Sequence, residues 1–167
     1  MKHPVKTIST KSILKPELLA IAKDNNPWIP YYNFMAKPVP HEVLNQDPFF
    51  DWLKDRYEYI GGIIRMNKFE QYDWHVDTRR GVGINMLLSH GKSFVYFTET
   101  PNELVKSVYP HKYQDDTYYL FNTQVPHCVI NLDQPRYLFT IEFALDKTHL
   151  TFDQLRQDIK ENYDRTT

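Results

Sequence analysis

Tyr72-Asp73-Trp74-His75-Val76-Asp77 reads as a short β-strand of aromatic, β-branched and polar residues. Side chains two apart on a strand share a face, so His75 and Asp77 project together while Trp74 and Val76 point the other way. An imidazole and a carboxylate at that spacing suit two ligands of one metal ion. With seven His and twenty-one acidic residues in 167, about one His-x-Asp/Glu match arises by chance, so the surrounding chain has to decide its meaning. Asp73 falls on the same face by the same count; it reads as a solvated strand-end carboxylate.

Outward from this stretch, Glu58 to Leu145 is a series of β-branched and aromatic runs divided by turn residues, which predicts about eight strands. These are Tyr59 to Met66, Tyr72 to Asp77, Val82 to Ser89, Ser93 to Thr98, Leu104 to Tyr109, Thr117 to Asn122, Pro126 to Leu132 and Tyr137 to Ala144. Ser89-His90-Gly91-Lys92 reads as a hairpin turn. No helix interrupts the series, which disfavours a parallel α/β sheet. The expected fold is therefore mainly β with flanking helices, a two-sheet jelly roll or barrel.

The flanks read differently. Pro16 to Asp24 places a proline at a helix start and Leu18, Leu19 and Ala22 on an apolar side. Trp28 to Pro40 carries Pro27, Pro30, Pro38 and Pro40 around Tyr31, Tyr32 and Phe34; so broken a stretch predicts an extended arm without regular structure. His41 to Tyr57 has apolar residues at helical spacing, and Thr151 with Gln154 predicts a capping box ahead of Leu155 and Ile159. Without repeats or low-complexity tracts, residues 1–167 read as a single domain with its β core at about 59–144, helices and arm at 12–57 and a last helix at 151–164.

Composition narrows the function classes. The chain is 41% hydrophobic and 15% aromatic, with twenty basic and twenty-one acidic residues and a formal charge of −1. That is enough apolar surface for a core, and no overall basic field draws it to nucleic acid or membrane. One cysteine, Cys128, allows no internal disulfide. No apolar run spans a bilayer, and the N-terminus lacks a signal-peptide core, so the reading is a cytoplasmic protein.

Further along, Pro126-His127-Cys128-Val129-Ile130-Asn131 reads as a buried strand. A buried imidazole there needs a metal or a hydrogen-bonding partner. Arg136 opens the next strand, and a guanidinium inside a barrel needs an anionic partner; a dicarboxylate would supply one. Asn85, in the apolar run Ile84 to Leu88, must likewise be satisfied, by backbone or by a ligand. His3, His41, His90, His111 and His149 read as terminal, helix-approach, turn and loop residues. Arg79 and Arg80 could meet an anionic substrate, but read more simply as solvated turn charges. Tyr31, Tyr32, Tyr113, Tyr118 and Tyr119 could line a groove, although most tyrosines of such a chain serve packing.

His75, Asp77, His127 and Arg136, in this order and over roughly Tyr59 to Ala144, resemble the signature of the Fe(II)- and 2-oxoglutarate-dependent oxygenase superfamily. The local text is similar to the prolyl-hydroxylase-like and aspartyl/asparaginyl-hydroxylase-like branches, with Tyr72 three before the first His and His-x-Val-x-Asn at 127–131. The resemblance implies a double-stranded β-helix core of the jelly-roll, cupin-like kind, with the three ligands on its second and seventh strands and the basic residue on its eighth. It implies Fe(II) on His75, Asp77 and His127, 2-oxoglutarate anchored by Arg136, and O2 as the second cosubstrate. Succinate and CO2 would be released as a substrate C–H bond is hydroxylated. The chain departs from the prolyl-hydroxylase pattern at Arg65-Met66-Asn67, where relatives place a tyrosine, and at Leu138, where they place Ser or Thr; Asn85, Tyr72 or Thr140 would stand in. Expected substrates are a free amino acid, a peptide or protein side chain, or another small metabolite. Two other classes are a cupin-like isomerase or 2-oxoglutarate-independent dioxygenase, and a non-enzymatic jelly-roll module. Oligomeric state and source are not legible.

Overall fold

The protein is described by a computed structural model covering residues 4–89, 91–100 and 107–164. The chain opens on β1 (Val5–Lys11), α1 (Lys15–Lys23), β2 (Ile29–Tyr31), β3 (Phe34–Val39), α2 (His41–Leu44) and α3 (Pro48–Leu53). The strand-rich part follows as β4 (Tyr59–Met66), β5 (Gln71–His75), β6 (Val82–Leu87), β7 (Ser93–Phe97), β8 (Tyr109–His111), β9 (Thr117–Asn122), β10 (His127–Asn131) and β11 (Arg136–Phe143). It closes on α4 (Phe152–Asp158), which runs into a π-helical turn at Ile159–Tyr163.

Two antiparallel sheets face each other. The larger runs β1-β9-β6-β11-β4-β3-β2, the smaller β5-β10-β7-β8. Taken in chain order, β4 to β11 alternate between the sheets except at β7 and β8, which pair with each other in the smaller one, so the expected jelly-roll core is present. Alternation along β9 and β11 explains why these strands read as continuous apolar runs. Tyr118, Leu120, Phe139 and Ile141 face the helices together with Leu18, Leu44, Phe49, Phe50 and Leu155, whereas Tyr119 and Phe121 meet Val95, Phe97 and Val129 between the sheets. The larger sheet is buried on both faces, which removes the period-two polar signal.

Four local expectations need correction. Residues 28–40 are a β-hairpin, β2 with β3, added to β4. Its prolines are tolerated because Pro30 sits on the outermost strand and Pro38 lies beyond the residues that β2 pairs with. The helical stretch 41–57 is broken in two, because Pro48 cannot continue α2 and Asp47 instead caps α3, accepting from Phe49 N at 3.0 Å. Ser89 to Lys92 is not a hairpin: β6 and β7 belong to opposite sheets, so the segment crosses between layers, and its His90 lies outside the described residues. The strand predicted at Leu104 to Tyr109 falls partly outside them, and the strand that is described there is Tyr109–His111. The last helix does carry its capping box, with Gln154 N donating to Thr151 Oγ1 and the Thr151 backbone N–H donating to Gln154 Oε1.

Candidate active site

Between the sheets lies a cavity of about 250 Å³, lined among others by Tyr31, Tyr72, His75, Asp77, Asn85, Tyr113, His127 and Arg136. Register makes its metal-ligating end. His127 on β10 stands directly opposite His75 on β5, so the two rings lie on the inner face with centroids 4.2 Å apart. Asp77 is not on the strand as expected, since β5 ends at His75. It is brought back by the turn before β10, its backbone N–H donating to Thr123 O at 3.0 Å. Asp77 Oδ1 is then 3.6 Å from His75 Nε2 and 4.0 Å from His127 Nε2. One ligand atom from each of the three residues lies within 4.8 Å of the others.

Each imidazole is oriented from behind. His75 Nδ1 lies 2.7 Å from Asp73 O, and His127 Nδ1 lies 2.9 Å from Val125 O. A carbonyl only accepts, so Nδ1 carries the proton in both rings and Nε2 presents its lone pair inward. Burial, followed by the neighbouring His75, lowers the His127 pKa to about 4. This imidazole therefore stays neutral, and able to ligate, well below the pH at which an exposed one would charge. Two neutral ring nitrogens and one carboxylate converging on one space suit a divalent metal.

The opposite end suits an anion. Arg136, Leu138, Thr140 and Glu142 alternate along β11 and all line the cavity. Arg136 is 3% exposed, yet its Nε and Nη2 have no hydrogen-bond partner, and no carboxylate among the described residues forms an ion pair with it. Burial pushes its pKa down. The Tyr113 hydroxyl, within reach of the Arg136 charge, is also unpartnered, and its pKa is pushed up to about 12, chiefly by burial. Asn85 stands opposite Thr140, and its Oδ1 is a fourth buried atom without a partner. Buried polar groups are rarely left unsatisfied. Several of them facing one cavity mark a place for a ligand rich in oxygen.

The fold was compared with known proteins. No family model matches the chain, and no curated protein does. Solved structures do match. A Pseudomonas putida prolyl-4-hydroxylase superposes with a TM-score of 0.65 at 15% identity, over 86% of this chain and 94% of that one. A Trichoplax adhaerens prolyl hydroxylase, in complex with a peptide fragment of the hypoxia inducible factor oxygen degradation domain, gives 0.62 at 14%, over 88% and 86%. The fold is that of 2-oxoglutarate and Fe(II)-dependent oxygenases. Streptomyces hygroscopicus HygX, with nickel, 2-oxoglutarate and hygromycin B bound, extends the likeness at 0.59 and 13%, over 84% and 82%.

Within this oxygenase fold, β5, β10 and β11 are the second, seventh and eighth core strands, where the resemblance put the ligands and the arginine. Tyr72 lines the cavity with its ring 4.0 Å from that of His75 and 4.8 Å from that of Phe34. Tyr31 and Tyr32 line it from the β2–β3 hairpin, whereas Tyr118 and Tyr119 are core. Asp73 is exposed, as expected. Arg79 is exposed too, but the reading of Arg80 as a solvated charge is wrong. Its Nε donates to Asp77 Oδ2 at 2.8 Å, with Nη2 at 2.7 Å from the same oxygen. Glu142, hydrogen-bonded by the Tyr31 hydroxyl, was missed as well; its parity with Arg136 on one strand was the available signal. Nothing in the linear sequence marked the Arg80 contact, because a turn decides it.

Proposed function

We propose that this chain is a single-domain Fe(II)- and 2-oxoglutarate-dependent oxygenase that hydroxylates a C–H bond. His75, Asp77 and His127 would hold Fe(II). The single observation that carries the reading is their convergence at one end of a cavity whose other end holds Arg136, buried and with two donors unpartnered. When bound, Fe(II) supplies the O2 activation that couples loss of CO2 from 2-oxoglutarate, leaving succinate, to insertion of one oxygen atom into the substrate.

The protein's own residues divide this work. Asp73 O and Val125 O hold the two imidazoles in the ligating tautomer. Arg136 anchors the far carboxylate of 2-oxoglutarate by charge-assisted hydrogen bonds, with Tyr113 and Asn85 as further polar contacts. The apolar walls, Ile64, Val95, Phe121 and Leu138 among them, exclude water from the reacting centre. Tyr31, Tyr32 and Tyr72 offer aromatic faces near the mouth. Once 2-oxoglutarate fills part of so small a cavity, what remains suits one protruding side chain or a small metabolite. The substrate is therefore an amino acid, a peptide or protein side chain, or a compound of that size. No described helix is long and apolar enough to cross a membrane, and a free buried Cys128 fits a reducing cytoplasm.

The test is succinate formation by protein loaded anaerobically with Fe(II), then given 2-oxoglutarate and O2. Asp77→Ala is expected to reduce succinate to background while the circular-dichroism melt stays native. Activity surviving in a folded Asp77→Ala and in a folded His75→Ala would refute the assignment.

A further inference from the structure

Asp77 uses its two oxygens differently. Oδ1 faces the Nε2 atoms of His75 and His127, at 3.6 and 4.0 Å. Oδ2 accepts from Arg80 Nε–H at 2.8 Å and lies 2.7 Å from Arg80 Nη2 in the same ion pair. An exposed pair three residues apart is worth little, because two long side chains must be held in place. This one is held from outside the pair. Gln124 Nε2 donates to Asp77 O at 2.8 Å and to Arg80 O at 2.7 Å, and Thr123 Oγ1 donates to Arg80 O at 2.6 Å. The turn that feeds His127 into β10 thus grips the backbone at both ends of the Asp77 to Arg80 segment. Gly81 completes the arrangement: a Cβ there would lie 2.5 Å from Leu150 O, so only glycine lets the chain pass directly after Arg80.

We infer that Arg80 is a positioning residue of the metal site, occupying Asp77 Oδ2 so that the carboxylate ligates through Oδ1 alone. The inference rests on the proposed metal reading and extends it. A carboxylate gripping through both oxygens takes two positions on a metal, and one gripping through Oδ1 takes a single position. The second arrangement keeps room for a cosubstrate that chelates at two points and for one further small ligand. Substituting a residue that orients a metal ligand typically weakens metal affinity by about 10–100-fold.

The experiment titrates Mn(II), an air-stable probe, into wild type, Arg80→Gln, Arg80→Lys and Asp77→Ala at one neutral pH, reading free Mn(II) by electron paramagnetic resonance. The apo melting curve of each variant is recorded in parallel. Arg80→Gln is expected to bind Mn(II) about 10–100-fold more weakly with a native apo melt. Arg80→Lys, which keeps the charge and loses the fork, is expected to recover part of that loss. Arg80→Gln binding within about twofold of wild type overturns the inference. If Arg80→Gln does not fold, Arg80→Lys decides, and wild-type affinity in that variant overturns it. Wild type failing to bind Mn(II) would instead remove the metal reading itself, and the role of Arg80 with it.

Discussion

Two cations are buried among the described residues, and their charges are met in opposite ways. Lys37 on β3 is 2% exposed, and its ammonium donates to Ile21 O at 3.1 Å, Asp24 O at 2.9 Å and Asp24 Oδ1 at 2.6 Å. It closes the C-terminal end of α1, where carbonyls lack helical partners and the dipole favours positive charge. Arg136 on β11 is 3% exposed, with Nε and Nη2 unpartnered. Burying a charge is costly unless it is paired and hydrogen-bonded. Lys37 finds its partners within the chain, so its burial is structural. Arg136 has no carboxylate partner among the described residues, and on the proposed reading the far carboxylate of 2-oxoglutarate would supply one.

The contrast can be broken most directly at Arg136. Arg136→Ala is expected to raise the 2-oxoglutarate concentration needed for half-maximal succinate formation by about 100-fold, the size of a lost pair of charge-assisted hydrogen bonds. Its melting temperature should hold or rise, because an unpaired desolvated charge has been removed; an unchanged requirement would remove its anchoring role. Lys37→Met should do the reverse. Losing hydrogen bonds from a charged group costs about 2 kcal/mol of stability by urea denaturation, with the 2-oxoglutarate requirement unmoved. A shifted requirement in Lys37→Met would mean that the two cations are not separable.

The smallest effect sharpens the picture around Arg136. Burial, reinforced by the Arg136 charge, lowers the His111 pKa to about 4, against about 6.5 in an unfolded chain. Between those values the unfolded state binds a proton that the folded state refuses. Stability from neutral His111 is therefore complete above about 6.5 and is lost as pH falls towards 4. His111→Phe should flatten the fall of melting temperature over that window, leaving the share due to His127, which is lowered by a similar cause. An unchanged slope would show that His111 does not stay neutral through that range.

The site also shows where local reading works and where it stops. β4 and β9 run over the predicted residues, and β10 and β11 come within one residue at each end, because strand texture is carried by neighbours in the chain. The hairpin at 28–40 escaped because prolines forbid an inner strand but permit an edge, and edge position is not a property of the segment. β1 escaped for a related reason: Val5–Lys11 is a strand only through its pairing with β9. Asn131, expected only as part of a motif, proves to be a latch. Its Nδ2 donates to Asn67 O at 2.7 Å and to Gln134 O at 2.8 Å, tying the end of β10 to the turns beside it.

By itself the sequence determined the chemical types at the site, their order and the β texture around them. Imidazole, carboxylate and guanidinium are properties of single residues, and strand alternation is a property of near neighbours. The tertiary structure decided that His127 faces His75, that Asp77 reaches them from beyond its strand, that Arg80 turns inward to Asp77, and that Arg136 is left without a carboxylate partner among the described residues. Register and the satisfaction of a buried charge depend on groups distant in the chain, so they exist only once the two sheets have closed on each other.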